Sequence, residues 1–521
     1  MSETNRPLVV MAASGSPARP PTGGAWVAAV IVIAISLLST FTIPTEEASS
    51  ARDVSAGLGA PLGTEEESPQ GTVAGGPQVV TRGAGPHVVT EGGQAGSEAE
   101  LLEGQETTGQ GSGGSQGNCG EGTNAGESEV GVKPDRIQFA ATVVKTGIAK
   151  DFLSDAEFGI KAVLQKIKRE GGICGRLVEV KFDDDGWDLA EGGNIIRKYI
   201  AEDKYFGLAV NPSSEGLLGG SGHVKAEGMP VIGADGMLKD QYENEWIWPV
   251  ATSTHSVMHI MCQDAYERGA RAFAIVYEGN YRFGVEGERA FSGCVGRQPG
   301  ASMVKSLKIE GGKQGYQTEA NDFVGACGGS SFSGCDFVAL LLEPATATAW
   351  RKSNGMGNGS SRPRVGFGAP QPLFVNSFVE DCGAPCANLR VWTSFKPPID
   401  PFDKDPAVAE YLNDLRAVSS SADASNPHVE GAYVGMLLLR DVLIKAGEAP
   451  TREKVKEILD SMTLDTGLAP PLTFAPGDHF AATSAQAFEA VYNITSGGAE
   501  FTGWRYTNSG FKNDDQVKQD L

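Results

Sequence analysis

The chain is 521 residues long, 40% hydrophobic and 21% charged, with a formal net charge of −22. That length exceeds what one compact domain ordinarily needs, so a large core or two lobes are open to it. A surface this acidic repels phosphate backbones and argues against nucleic acid as a partner.

Residues 1–22 are short, polar and proline-containing, with Arg6 and Arg19 as their basic residues. A run without charge follows at 25–43 (AWVAAVIVIAISLLSTFTI). At ~1.5 Å per residue it would span roughly 28 Å, about one hydrocarbon core. The arginines before it and Glu46 and Glu47 after it predict an N-in, C-out anchor over 23–43. A cleaved signal peptide is the rival reading. Either way the binding domain is expected outside the cytoplasm, tethered or secreted.

Residues 44–134 contain no aromatic side chain and are rich in glycine, serine and glutamate, as in GQGSGGSQGNCGEG. Such a segment buries too little apolar surface to offset its chain entropy and is expected to be a disordered, acidic linker. Within it, residues 113–117 fit the pattern GxSxG. No strand precedes them, so they carry no catalytic meaning.

From Asp135 strands and helices alternate. Strands are predicted at 137–144, 177–182, 206–210, 230–232, 273–277, 337–342, 365–367 and 390–393, with helices at 155–170 and 189–201. This alternation predicts parallel sheets with helices on both faces. The span suits two Rossmann-like lobes better than one sheet.

There are eight cysteines and no CxxC pair, which leaves a zinc ribbon or redox motif without support. In an oxidising compartment bridges are the natural reading; eight unpaired buried thiols are the alternative. Cys327–Cys335 and Cys382–Cys386 are favoured because short loops close cheaply. Cys262–Cys294 follows, and Cys119 most simply pairs with Cys174.

Several segments carry a family resemblance. Residues 157–188 (EFGIKAVLQKIKREGGICGRLVEVKFDDDGWD) pair a helix with a GG-I-x-G turn, a strand and a DD ending. KYFGLAVNPSSEG precedes AEGMPVIGAD, AFAIVYEGNYRFGVEG comes later, and HVEGAYVGMLLLRDVLIKAG with TREKVKEIL comes last. In this order they resemble the type I periplasmic binding proteins, of the branched-chain amino-acid and amide receptor group. The asparagine usual before the paired glycines is absent.

The resemblance implies an α/β fold of two Rossmann-like lobes joined by three crossovers. Lobe 1 would be about 135–251 and 398–472, lobe 2 about 252–397 and 473–521. It also implies a solute-binding protein of an ABC-type importer, with an amino acid or small amide as ligand and a membrane permease as partner. No catalysis, cofactor or metal is expected. A membrane-anchored sensor of the same fold is the alternative.

By position, Ser214, beside Ser213 at a predicted helix start, matches the serine that holds a ligand carboxylate; a plain helix cap is the other reading. Asp235 follows the next strand, either as a contact or as a turn residue, and Met237 stands where the family has threonine. Phe283 matches the family's tyrosine, with Tyr281 as competitor. Phe152 is the candidate aromatic of the first loop. The acid that the family carries later in lobe 2 is replaced around Gln371, so the charge is expected at Glu343, at the end of an apolar strand. His255 and His259 share i, i+4 spacing but lack a third ligand nearby in sequence. The run 183–185 of aspartates reads as mainly structural, and Trp187 lies near the expected cleft mouth.

Overall fold

The computed structural model describes Cys119 and residues 124–357, 361–496, 498–514 and 516. The short N-terminus, the apolar anchor and most of the linker lie outside the described residues. Among the described residues no helix is long and apolar enough to cross a membrane.

The first sheet holds five parallel strands: β1 (Arg136–Val143), β2 (Leu177–Asp184), β3 (Gly207–Ala209), β4 (Val231–Ala234) and β5 (Ile247–Pro249). Their order is β2-β1-β3-β4-β5. The second sheet repeats that order with β6 (Ala272–Glu278), β7 (Ser302–Ile309), β8 (Phe337–Leu341), β9 (Gly366–Pro370) and β10 (Arg390–Thr393), arranged β7-β6-β8-β9-β10. A small antiparallel pair, β11 (Thr463–Leu464) and β12 (Leu472–Thr473), comes next in the chain. Then β13 (Ser484–Thr495) and β14 (Gly498–Tyr506) extend the second sheet in antiparallel fashion, and β15 (Lys512–Asn513) pairs with β13. This is the two-lobed α/β architecture with parallel sheets.

Strand burial follows from position in the sheet. All of β8 (FVALL) is buried, as expected for a parallel strand covered on both faces. The edge strand β7 (SMVKSLKI) alternates between exposed and half-buried positions and carries lysines on both faces, Lys305 half-buried and Lys308 exposed, so it lacks the continuous apolar run that marks β8. The helix Ala156–Arg169 buries Ala156, Ile160, Val163 and Ile167 at helical spacing and ends in Lys166, Lys168 and Arg169, favourable to its dipole.

Each sheet has its own hydrophobic core. Phe139, Leu208, Trp248 and Leu439 belong to the first, and Phe273, Leu340, Trp392 and Phe488 to the second. The chain passes between cores from Ala251 to Val257, from Trp392 to Phe395 and from Phe474 to Ala485. The β11–β12 pairing keeps it on the first core as far as Phe474. Seven first-lobe residues, Val144, Ala149, Phe152, Leu153, Trp187, Met237 and Leu238, are buried instead in the second core. The lobes are therefore closed on one another.

Four disulfides are present: Cys119–Cys174, Cys262–Cys294, Cys327–Cys335 and Cys382–Cys386. All four pairings are those expected from the sequence, of which Cys327–Cys335 and Cys382–Cys386 rested on loop length. Cys262–Cys294 joins helices Thr254–Glu267 and Arg282–Arg297, which flank β6 in sequence.

Helix Ala156–Arg169 meets helix Pro427–Ala446 through Gly159. A Cβ there would lie 2.3 Å from the Val429 carbonyl oxygen, whereas one at Gly222 in helix Ser214–Ala226 would meet nothing within 4 Å. Gly159→Ala should therefore destabilise the protein by about 1–3 kcal/mol. Gly222→Ala should stabilise it by up to about 1 kcal/mol. Chemical denaturation of the two variants checks this; equal effects would contradict the packing described.

Candidate functional site

In a doubly wound sheet ligands bind beyond the strand C-termini where strand order reverses. That reversal lies between β1 and β3 in the first lobe and between β6 and β8 in the second.

In the first lobe, β3 runs into two residues with positive φ, Val210 (64°) and Asn211 (51°). Such a conformation is costly for a β-branched residue and is found where function demands a special turn. Asn211 fixes it. Its buried Oδ1 accepts from Thr142 N at 2.8 Å and Thr142 Oγ1 at 3.1 Å, tying the ends of β1 and β3 together. The turn presents Ser213 and Ser214 at the start of helix Ser214–Ala226. Ser213 occupies the cap position but makes no capping bond. Its hydroxyl donates to Asp185 Oδ1 at 2.8 Å, and the Ser214 hydroxyl donates to Asp235 Oδ2 at 2.8 Å. The other Asp235 oxygen lies 3.0 Å from His428 Nδ1. Asp185 also accepts from Trp187 N at 2.9 Å, while its Oδ2 has no hydrogen-bond partner among the described residues. Burial pushes the Asp185 carboxyl up to about 6 against these donors.

In the second lobe, Glu278 ends β6 and Glu343 stands two residues beyond β8, both fully buried. Glu343 caps helix Pro344–Lys352, accepting from Ala345 N at 2.7 Å and Thr346 N at 2.5 Å. This gives a strand of apolar residues a local reason to end in a carboxylate. Glu343 N in turn donates to Glu278 Oε1 at 3.0 Å. Glu278 Oε2 has no partner among the described residues. Burial and then the charge of Glu343 push the Glu278 carboxyl well above the usual range. Burial pushes Glu343 to about 7, against the helix N–H groups.

Aromatic rings meet where the lobes touch. Trp187 of the first lobe lies 4.8 Å from Tyr281 and 5.6 Å from Phe283 of the second, centroid to centroid. Phe152 stands edge-on to Trp187 at 5.8 Å and lies 5.0 Å from His428. Glu215 crosses the same seam: its carboxylate accepts from Arg282 N at 2.8 Å, at the start of helix Arg282–Arg297. Burial lifts Glu215 to about 7. Tyr281 is raised to about 12 by burial and by the charges of Glu278, Glu343, Glu215 and Asp188. A cavity of about 490 Å³ opens beside these groups, lined by Leu189, Glu215 and Leu218 on one side and Tyr281, Arg282 and Glu286 on the other.

The sequence candidates thus fall at both switch points and along the seam. Ser213, Ser214 and Asp235 lie on the first lobe. Glu343 lies at the second switch point. Phe152 and Phe283 are buried at the seam. Gln371 follows β9, buried, with Oε1 lacking a partner among the described residues. Sequence reading missed Glu278, Asp185, Glu215 and His428. Glu278 carried the signal that marked Glu343, an acid closing the apolar strand AFAIVYE. Within the aspartate run, Asp183 pairs with Lys181 and accepts from Tyr199, and Asp184 accepts from Lys145 N and Thr146 Oγ1, so only Asp185 reaches the site. His255 and His259 do gain a third neighbour, Asp514, with candidate ligand atoms within 4.8 Å. The guanidinium of Arg297, 2.8 Å from His259 Nε2, already supplies positive charge there.

A family model described as periplasmic binding protein matches residues 136–499. The chain belongs to the periplasmic binding protein family. Its fold is the type I arrangement shared with leucine-binding proteins, and the family is one of receptors for solutes. Among solved structures, it is similar to an R. palustris solute-binding protein of an ABC transporter in complex with 4-hydroxybenzoate (14% identity, 73% of this chain and 98% of that one, TM-score 0.59). It is also similar to a fatty acid ABC transporter substrate-binding protein from Thermomonospora curvata (14%, 73% and 95%, 0.58) and to the leucine-binding protein LivK from Thermotoga maritima (15%, 71% and 99%, 0.57). At these identities the likeness is one of fold. No curated protein sequence matches the chain.

Asp185, Glu215 and Glu343 hold protons more tightly in this periplasmic binding protein when folded than when unfolded. The stability they contribute is present below the unfolded carboxylate range and is lost as pH rises through about 6 to 7. The melting temperature of ligand-free protein should therefore fall between about pH 5 and about pH 8, and less steeply for Glu343→Gln. Parallel profiles for the two proteins, by calorimetry, would contradict the assignment for Glu343.

Proposed function

We propose that this periplasmic binding protein is the solute-binding component of an ABC-type importer. It takes a small solute bearing an amine or amide nitrogen between its lobes, catalyses nothing, and in the closed form docks on a membrane permease. The observation that carries the ligand half of this reading is the buried pair Glu278 and Glu343 at the second switch point, facing a seam of rings from both lobes. Buried acids with an oxygen left over are costly unless a ligand nitrogen completes them. Ser213, Ser214, Asp235, Phe152, Phe283 and Gln371 complete the proposed contact set.

The importer half is supported by the solved structures of this fold described as ABC transporter solute-binding proteins. The four disulfides support an oxidising, extracytoplasmic setting, with the apolar run near the N-terminus as the proposed tether. Closure by hinge motion at the three passages is the common device of such receptors.

Native mass spectrometry of the purified chain should find one small nitrogenous solute per protein. With that solute, Glu343→Ala should weaken binding by about 2–5 kcal/mol, because a buried charge partner is lost. Ser214→Ala should cost about 1–2 kcal/mol. Calorimetric titration measures both; parental affinity in Glu343→Ala would remove the second switch point from the site.

A further inference from the structure

The groups that the two lobes bring to this cleft are strongly biased in sign. Asp185 and Asp235 stand at the first switch point, Glu278 and Glu343 at the second, and Glu215 at the seam. Two of the three cations lining the cavity are engaged, while Arg289, exposed at its edge, has no ion pair among the described residues. Arg282 pairs with Glu286 and Asp240, and Lys239 with Glu243.

Two of the acids keep an oxygen without a partner among the described residues, and both are 2% exposed or less: Asp185 Oδ2 and Glu278 Oε2. The second is placed by Gly311. A methyl group built there would sit 2.7 Å from Glu278 Oε2 and 3.1 Å from Tyr281 Cε2, so the orphan oxygen lies beside the Tyr281 ring. That ring packs against Trp187 from the opposite lobe. Carboxylate oxygens next to aromatic faces are the chemistry that holds an organic cation, since each ring face attracts positive charge.

The place where a ligand carboxylate would be expected is closed to one. Both serine hydroxyls at the start of helix Ser214–Ala226 donate to protein carboxylates. A Cβ added at Gly216 would lie 1.9 Å from Asp185 Oδ2, so this acid sits directly against the first turn of that helix. A ligand anion there would meet Asp185 and Asp235 at close range, and like charges brought together cost several kcal/mol.

We propose that the cleft selects an organic ammonium ion that carries no carboxylate, with Glu278 and Glu343 as its counter-charges and Trp187, Tyr281 and Phe283 as its aromatic walls. This rests on the reading of the cleft as a solute site and narrows it. The ammonium inserts between rings that touch where the lobes close, and excess negative charge replaces the paired anion and cation sites that an amino acid needs.

Titration of the full chain with choline, putrescine, leucine and 4-hydroxybenzoate tests it, read by calorimetry and by thermal shift. Choline or putrescine should bind, and the two carboxylate-bearing compounds should not. Glu278→Gln should weaken cation binding at least tenfold and make the melting temperature of the protein without added solute fall less steeply as pH rises, because a buried acid that holds its proton tightly is removed. Trp187→Ala should weaken it as well. A purely structural role for Glu278 would move stability and leave affinity unchanged. Should Glu278→Gln fail to fold, Glu343→Gln gives the same readout. Binding of leucine or 4-hydroxybenzoate, lost in Trp187→Ala, would overturn the cation assignment while leaving the cleft as the solute site. Absence of binding by both cations at millimolar concentration would overturn the proposal. A cation that binds equally well to the Glu278→Gln, Glu343→Gln and Trp187→Ala proteins would overturn the cleft reading too.

Discussion

Glu278 and Glu343 are buried together where the strand order of the second sheet reverses, joined by a hydrogen bond from the backbone of one to the carboxylate of the other. Withdrawing two carboxylates from water is expensive. The fold meets part of that cost with the first turn of helix Pro344–Lys352, whose N–H groups point at Glu343. It leaves Glu278 Oε2 unmet. A fully buried group kept in this condition, one residue from the cavity lining at Gly279, makes the closed form sensitive to positive charge brought near it. The rest of the site is arranged around that condition: rings from both lobes meet beside it and exclude water.

The matching strand orders explain why one site needs two lobes. Each sheet has a single reversal point, and each reversal brings two strand ends and their following turns together. In the first lobe the junction is held by Asn211 on Thr142, and the residues beyond it are Ser213 and Ser214. In the second the junction is held by Glu278 on Glu343. Trp187 connects the two, since it extends from the first sheet's loop into the second core. Opening the lobes would separate Trp187 from Tyr281 and Phe283 and expose all three rings. Closure therefore gains aromatic burial in either state, and a bound ligand decides how tightly the acids are tolerated.

Much of this was legible in the sequence because it depends on local pattern. A continuous apolar run marked β8, and helical spacing marked Ala156–Arg169. Short cysteine spacings marked the disulfides at 327–335 and 382–386. The edge strand β7 was not legible, because its alternation with lysine has no continuous apolar run. The antiparallel β13–β14 hairpin was not legible either, since it departs from the strand-helix rhythm of the two lobes. The site itself depends on long-range pairs. Ser214 finds Asp235, His428 finds the same carboxylate from 193 residues away, and Glu215 finds the start of a helix in the other lobe. A serine at a helix start reads as a cap or an anion contact; only the fold reveals that an aspartate already faces it.

The central claim is that the ligand's positive charge lies at Glu278 and Glu343, between rings from both lobes. A crystal structure of the protein with its bound solute tests it most directly. The account predicts a ligand nitrogen within about 4 Å of the Glu278 or Glu343 carboxylate, stacked on Trp187 or Tyr281, with Ser214 still donating to Asp235. A ligand held by its own carboxylate on Ser213 and Ser214, with the Glu278–Glu343 pair untouched, would contradict it.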